Sequence, residues 1–145
     1  MHAKSRKPAV NRSKSTKQSG APEYTAEAVL AQLKKLGDKR VREQMGTRFG
    51  ITGPTAQKSF GVSMAKMKAL AKKIGRSHDL ALALWETGWY EARMMASLVD
   101  EPQRVTPAQM DKWCRAFDNW GICDTVCFCL FDRSPHAMSK IKKWA

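Results

Sequence analysis

Trp120 and Asp124 lie four residues apart in a stretch with helical apolar spacing, which places an indole ring and a carboxylate on one face of a helix. Cys127 and Phe131 fall on the same face. The opposite face carries side chains that can pack a core, namely Ile122, Val126, Cys129 and Leu130. A carboxylate between aromatic rings is costly to ionise unless a cation compensates it. The spacing therefore indicates a cationic partner, either a protein side chain or a ligand.

Two kinds of partner satisfy this requirement. An indole face attracts positive charge and Asp124 complements that charge, so Trp120 and Asp124 can border a site for a cationic ring. Alternatively, Asp124 pairs with Arg93 or Arg133 inside the protein and holds two helices together. Spacing alone favours this ion pair, because structural ion pairs are common.

Other catalytic arrangements are not evident in the sequence. The histidines are dispersed, and the Gly50–Pro54 stretch lacks the spacing of a phosphate-binding loop and its Lys-Ser/Thr ending. The cysteines crowd into one predicted helical region without a zinc-site pattern: Cys114, Cys123, Cys127 and Cys129. We therefore predict no metal and no cofactor, and a reducing compartment, the cytoplasm.

The net charge is +13, which indicates a polyanionic partner. Residues 1–22 are basic and acid-free, and we predict a disordered arm there, ahead of one folded domain over 23–145. From Glu23 onward, 20 basic residues still face 13 acidic ones. Nucleic acid is a better match than a membrane surface, since no amphipathic membrane-type helix and no apolar run of spanning length occur. The candidates for phosphate contacts lie in one predicted helix, although they equally fit a solvated face: Lys66, Lys68, Lys72 and Lys73.

Capping signals predict an all-helical chain. Helical apolar patterns follow Thr25, Ser63 and Ser77. Thr106 precedes Pro107, and Gln109 is placed so that its side chain can hydrogen-bond the backbone N–H of the cap residue Thr106. We predict seven or eight helices of about 10 to 14 residues, a loop without secondary structure over 50–61, and no strand.

We expect three neighbouring aromatic residues in the core rather than in a base-stacking platform, because they interleave with aliphatic positions: Trp85, Trp89 and Tyr90. Stacked helical hairpins fit this pattern, with an ordinary helical bundle as the alternative.

Several ordered blocks resemble the DNA alkylation repair family of HEAT-like-repeat DNA glycosylases, and the similarity spans roughly residues 41–145. The blocks are Phe60-Gly61-Val62-Ser63, Leu70-Ala71-Lys72-Lys73-Ile74-Gly75, Leu84-Trp85-Glu86-Thr87-Gly88, Tyr90-Glu91-Ala92-Arg93 and Phe117-Asp118-Asn119-Trp120 followed by Cys123-Asp124. The resemblance implies a right-handed helical-repeat solenoid with a concave basic surface for duplex DNA. It also implies hydrolysis of the N-glycosidic bond of N3- or N7-alkylated purines.

By the same resemblance, Asp124 and Trp120 match the site aspartate and tryptophan of the family. Asp124 then stabilises positive charge developing on the deoxyribose and orients the attacking water, while Trp120 contacts the lesion nucleotide. The resemblance also implies that excision is possible with the lesion still stacked, in which case a surface cleft suffices in place of a deep base pocket. Family members continue for several more helices, which carry an arginine that contacts phosphate and a second aromatic residue of the active site.

Three hypotheses for function follow. The first is a monomeric alkylpurine DNA glycosylase acting on duplex DNA. The second is a non-catalytic helical-repeat module that binds DNA or a protein through the same surface. The third is the N-terminal part of a longer enzyme. An accessible Asp124 favours catalysis, whereas an Asp124 buried against an arginine favours a structural role.

Overall fold

Nine α-helices and two 3₁₀ turns, without a strand, make up residues 24–145, the part of the chain that the computed structural model describes. The predicted arm over residues 1–22 lies outside these described residues. The helices are α1 (Ala26–Leu36), α2 (Lys39–Thr47), α3 (Pro54–Gln57), α4 (Met64–Ile74), α5 (His78–Glu86), α6 (Tyr90–Val99), α7 (Pro107–Arg115), α8 (Trp120–Cys129) and α9 (Ala137–Trp144). The 3₁₀ turns are Pro102–Arg104 and Phe131–Arg133. None of the described helices is long and apolar enough to cross a membrane.

The predicted helix starts are confirmed by their caps. The hydroxyl of Thr25 accepts a hydrogen bond from Ala28 N, and Ser63 and Ser77 cap α4 and α5 in the same way. Such a cap satisfies one of the backbone N–H groups that a helix start leaves unpaired. These local signals locate helix starts because the donor and acceptor are only three residues apart.

The predicted role of Gln109 at the α7 cap is wrong. Thr106 does accept from Gln109 N at 3.1 Å, but the Gln109 side chain does not return to the cap. Its amide nitrogen donates instead to the buried carboxylate of Asp100 at 2.7 Å. A buried carboxylate gains more from a hydrogen bond than an exposed helix cap does, so the Gln109 side chain bonds Asp100 rather than the cap residue.

Two other sequence predictions need correction. The segment 50–61 is not without secondary structure, because Pro54 begins the one-turn helix α3. Helices α1, α4, α6 and α8 have 10 or 11 residues, within the predicted range of 10 to 14, whereas the other described helices have 4 to 9 and are shorter than predicted. Short helices of this kind owe their stability to packing rather than to intrinsic propensity.

Helices α4, α6 and α8 run side by side in the same direction. Their starts lie together, since the segment before α4 hydrogen-bonds Glu91 of α6 and the Tyr90 hydroxyl of α6 lies against Gly121 of α8. Their ends also lie together, where Gly75, Leu98 and Cys129 line one cleft. Each connection to the next of these helices contains an antiparallel helix, α5 or α7. The stacked-hairpin layout predicted from the sequence is therefore present.

The core between the hairpins is centred on stacked indoles. Trp85 of α5 and Trp113 of α7 lie with ring centroids 4.1 Å apart and planes 2° apart, and both are buried. Phe117 meets Trp85 edge-on at 6.3 Å. Trp85 and Tyr90 are buried, and Trp89 stacks on Phe60 at 4.2 Å, so the predicted packing role of these aromatics is confirmed.

A fully buried carboxylate, that of Glu91, fixes the start of α6. It accepts hydrogen bonds from the Ser59 hydroxyl (2.5 Å) and from the backbone N–H groups of Phe60 (3.1 Å), Gly61 (2.9 Å) and Val62 (3.3 Å). These donors replace the water that an ionised carboxylate loses on burial. The loop before α4 is thereby held against α6.

A second buried carboxylate, that of Asp100, fixes the end of α6. It accepts from the ring nitrogen Nδ1 of His78 at 2.7 Å and from the Gln109 amide, so it joins α6 to the starts of α5 and α7. Arg76 donates to the backbone carbonyls of Leu98 and Asp100 at 3.2 and 2.8 Å. Both ends of the central helix are therefore held by its own acidic residues.

Replacing Glu91 with glutamine is predicted to destabilise the fold by about 2–4 kcal/mol, because an amide NH₂ then replaces one carboxylate oxygen and leaves at least one buried backbone donor, such as Phe60 N, without an acceptor. Urea unfolding followed by circular dichroism measures the loss. The matched control is Glu43→Gln, since Glu43 is exposed on α2 and its side chain makes no hydrogen bond with the described residues. Equal free energies of unfolding for the two variants would contradict this role of Glu91.

Asp111 is predicted to make the docking of α9 sensitive to acid. A hydrogen bond from Lys140 at 2.6 Å is the main cause of a lowered pKa for this carboxyl, and Lys143 and Trp144 of α9 add to it. Its contribution to stability is complete above its unfolded pKa of about 3.9 and is lost as the pH falls through the lower folded-state pKa. Melting temperatures of wild type and Asp111→Asn should therefore converge at low pH. A gap that stays constant with pH would refute this.

Candidate functional site

Helix α8 presents Trp120 and Asp124 on the side opposite its packed face. Asn119 caps the helix by accepting from Ile122 N at 2.9 Å, so Trp120 becomes its first residue. Ile122 and Val126 are fully buried, as predicted, whereas Trp120 is 51% exposed and Asp124 is exposed one turn later. The predicted pair is therefore accessible from solvent.

The indole of Trp120 is oriented by a distant loop. Its ring nitrogen donates to the backbone carbonyl of Phe49 at 3.0 Å, across 71 residues of sequence. Helix α3, which follows Phe49 in the same connection, is attached as well, since Thr55 N donates to the Asp118 carboxylate at 2.7 Å. The exposed Trp120 ring is thereby fixed at low conformational cost before any ligand arrives.

Close approach of a backbone carbonyl and of a tyrosine hydroxyl explains two glycines at this contact. Gly53 has a φ of +105°, and a Cβ atom there would lie 2.6 Å from the Asp118 carbonyl oxygen. A Cβ atom on Gly121 would lie 2.7 Å from the Tyr90 hydroxyl. Burial, with a smaller effect of Glu91, raises the pKa of Tyr90 to about 12, so this hydroxyl stays protonated. The start of α8 therefore fits tightly against both α6 and the loop.

Asp124 does not form the ion pair that spacing alone favoured. No basic side chain of residues 24–145 lies within 4.0 Å of its carboxylate. Arg93 instead packs over the Trp85 ring at 4.8 Å and donates to the Thr55 hydroxyl at 3.2 Å. Arg133 lines a cleft at the other end of α8. The negative charge of Asp124 is thus left to solvent or to a ligand.

Phe131 is not the aromatic neighbour of Asp124 that helical spacing predicted. Helix α8 ends at Cys129, so Phe131 falls in the following 3₁₀ turn, where it is buried with its ring centroid 6.3 Å from that of Trp113. Phe128 takes the outward position one turn after Asp124 and is 73% exposed. The exposed stripe on α8 is therefore Trp120, Asp124 and Phe128.

Two cysteine thiols near this helix, those of Cys114 and Cys127, are protonated packing groups. Burial raises the pKa of Cys127 to about 12 and that of Cys114 to about 11, with the neighbouring Cys123 adding to both effects. A protonated thiol is a poor nucleophile and a poor metal ligand. Within residues 24–145, no group of three potential metal ligands comes together.

The four predicted DNA-binding lysines are divided between two flanks of α4. Lys68 and Lys72 lie one turn apart on the flank that faces a cleft. Lys66 and Lys73 lie on the other flank, roughly 130° away around the helix axis, and are exposed there. The exposed Ala65 and Ala69 lie between the two flanks, and Met67 and Leu70 are buried on the other side of the helix. Only Lys68 and Lys72 therefore line the cleft.

Two arginines that sequence analysis did not assign to DNA binding join Lys68 and Lys72. Arg76 follows the end of α4, and Arg133 lies in the 3₁₀ turn after α8. The four cations line a cleft of about 370 Å³, called here the basic cleft, whose remaining lining is Ala71, Gly75, Leu98 and Cys129. The sequence signal for both arginines was weak, because each is a single basic residue just beyond a helix end.

Comparisons with known proteins agree with this architecture. A solved structure described as "A new family of proteins related to the HEAT-like repeat DNA glycosylases with affinity for branched DNA structures" matches with a TM-score of 0.72 and 27% identity. The match covers 83% of this chain and 49% of that chain. The chain thus spans about half the length of the solved structure it matches, and its fold is of the HEAT-like repeat type.

A comparison with curated protein sequences gives no significant match. A family model described as "DNA alkylation repair enzyme" matches residues 29–145. This range includes Trp120, Asp124 and all four cations of the basic cleft. The chain belongs to the DNA alkylation repair enzyme family.

Proposed function

We propose that the protein is a DNA glycosylase that hydrolyses the N-glycosidic bond of N3- or N7-alkylated purines in duplex DNA. The observation that carries this proposal is the state of Asp124. Its carboxylate is exposed, lacks an ion-pair partner among residues 24–145 and follows one turn after an indole that is already held in place. An uncompensated carboxylate beside an aromatic ring suits a ligand that carries or develops positive charge.

The chemistry needs such a carboxylate and little more. An N3- or N7-alkylated purine is cationic, so it leaves with the electron pair of the C1′–N bond and becomes neutral. Positive charge then develops on the deoxyribose, where Asp124 stabilises it. Water adds its oxygen to C1′, and its proton passes to Asp124 or to solvent. Trp120 contacts the lesion nucleotide and keeps its sugar close to the carboxylate.

DNA is held by backbone contacts in this proposal. Lys68 and Lys72 of the basic cleft are the predicted lysines best placed to contact phosphates together. Lys66 and Lys73, on the opposite flank of α4, contribute to the general positive field. The family membership and the excess of basic residues support a DNA ligand.

A non-catalytic DNA-binding module is the second candidate. The solved structure that the chain resembles is described as having affinity for branched DNA structures, and the chain spans about half its length. In this alternative, the α4, α6 and α8 face binds a DNA junction, and Asp124 takes no part in bond cleavage. The two candidates differ in whether any base is released.

Replacing Asp124 with asparagine is predicted to lower the rate of base release by about 100-fold or more, since the amide keeps the shape but loses the charge that stabilises the transition state. The assay follows release of 7-methylguanine or 3-methyladenine from duplex DNA under single-turnover conditions. Asp79→Asn is the matched control, because Asp79 is an exposed aspartate on α5. Its rate should equal that of wild type.

Two outcomes would overturn the catalytic assignment. Base release that is equal in wild type and Asp124→Asn would remove Asp124 from the mechanism. No release by the wild-type protein, together with binding to a branched DNA, would favour the non-catalytic module. Circular dichroism of both variants shows that each has folded.

Binding to unmodified duplex is predicted to weaken steeply with salt, because each neutralised phosphate releases counterions. With two or more lysine or arginine contacts, the slope of log K against log salt concentration should be about −2 or steeper. Fluorescence anisotropy of a labelled duplex over a salt series measures it. Binding that does not change with salt would argue against backbone recognition.

A further inference from the structure

Helix α8 exposes only three of its ten residues, and these follow one another at intervals of four. Residues four apart in a helix are offset by about 40° around its axis and by about 6 Å along it. Trp120, Asp124 and Phe128 therefore form one exposed row, called here the α8 stripe. The Asp124 carboxylate lies in the middle of the stripe, with one aromatic ring a turn before it and another a turn after it.

The packing of the fold does not account for Phe128. This residue is 73% exposed, more than any other large hydrophobic residue that the structure describes. Three other phenylalanines pack against tryptophan rings: Phe60, Phe117 and Phe131. A phenyl ring in water lacks the stabilisation that burial provides, so a bound ligand that covers Phe128 recovers it.

An apolar cleft beside the α8 stripe covers only a small part of this residue. The cleft has a volume of about 210 Å³, and its lining includes Phe128 of α8 with Ile141 and Trp144 of α9. Both α9 residues are less exposed than Phe128, which leaves most of the Phe128 side chain available to a ligand. Ile141 shares the cleft with Phe128 but does not belong to the stripe, so it provides a matched comparison.

Aromatic rings on both sides of a carboxylate change its surroundings once a ligand is bound. A nucleotide placed over Asp124 presents the C–H groups of its sugar, which can pack against a ring. Such packing removes water from the space between the sugar and the carboxylate. Opposite charges attract more strongly where water is excluded, so Asp124 then stabilises the charge that develops on the sugar more effectively.

We propose that Phe128 packs against the sugar of the nucleotide at Asp124 and shields the carboxylate from water on the side opposite Trp120. The proposal rests on the proposed function, since it takes that nucleotide as the ligand. Phe128 exchanges no proton and forms no bond. It therefore acts on the rate of base release through Asp124 and is a further residue of the site.

The test compares two truncations at the same apolar cleft. Phe128→Ala removes the ring from the α8 stripe, whereas Ile141→Ala shortens an exposed side chain of α9. Single-turnover release of 7-methylguanine from duplex DNA gives the rate at saturating protein and the protein concentration at half of that rate. Phe128→Tyr keeps the ring, and thermal melting checks that every variant is folded.

Phe128→Ala is expected to lower the saturating rate by about tenfold and to change the half-saturating concentration by less than about threefold. Phe128→Tyr and Ile141→Ala should both stay within about twofold of wild type. Salt screens a shielded charge much less than an exposed one. The saturating rate of wild type should therefore change little between about 50 and 200 mM salt, whereas that of Phe128→Ala should fall.

A wild-type saturating rate in Phe128→Ala would overturn the proposal. An equal loss in Ile141→Ala would overturn it as well, since the apolar cleft as a whole then matters, as it would if another protein covered it. If wild type releases no base, the proposed function and this inference fail together. If Asp124→Asn slows release and Phe128→Ala does not, the proposed function stands and the inference alone fails.

Discussion

The packing of α4, α6 and α8 depends on the hydrogen bonds that the buried carboxylate of Glu91 accepts. This carboxylate lies at the start of the central helix α6 and is held by Ser59 and three backbone N–H groups rather than by a cation. A buried carboxyl group without water requires those donors, so the loop before α4 has little freedom to move. The position of α4 follows, and with it the two lysines of the basic cleft. Tyr90, the residue before Glu91, lies against Gly121 and sets the start of α8.

Because α4, α6 and α8 pack side by side in the same direction, the surface that they form has two chemically different edges, one at the helix starts and one at the helix ends. The helix starts carry an exposed indole and an exposed carboxylate without a basic partner among residues 24–145. The helix ends carry four cations around a small-residue floor. Asp124 lies five residues before Cys129, about 7.5 Å along the axis of α8, and none of the four cations forms an ion pair with it. In the proposed function, the cationic lesion faces the carboxylate and the phosphate backbone faces the cations, so each edge meets complementary charge.

Local signals in the sequence were sufficient for much of the fold. The hydroxyls of Thr25, Ser63 and Ser77 act within one helical turn, so their capping roles followed from spacing. Predictions failed where a distant group competed for the same side chain. Gln109 leaves the α7 cap for Asp100, and Phe131 turns into the core because α8 ends two residues earlier. In both cases burial outweighs the local preference.

The sequence by itself determined the helical class, the helix starts, the packed face of α8 and the presence of Trp120 and Asp124 on its other side, because each depends on contacts within a few residues. Only the tertiary structure decided that Asp124 has no ion-pair partner among residues 24–145 and that the lysines of α4 divide between two flanks. It alone brought Arg76 and Arg133 together with Lys68 and Lys72. The reason is physical: charge pairing and desolvation depend on distances between elements, which helical periodicity does not contain.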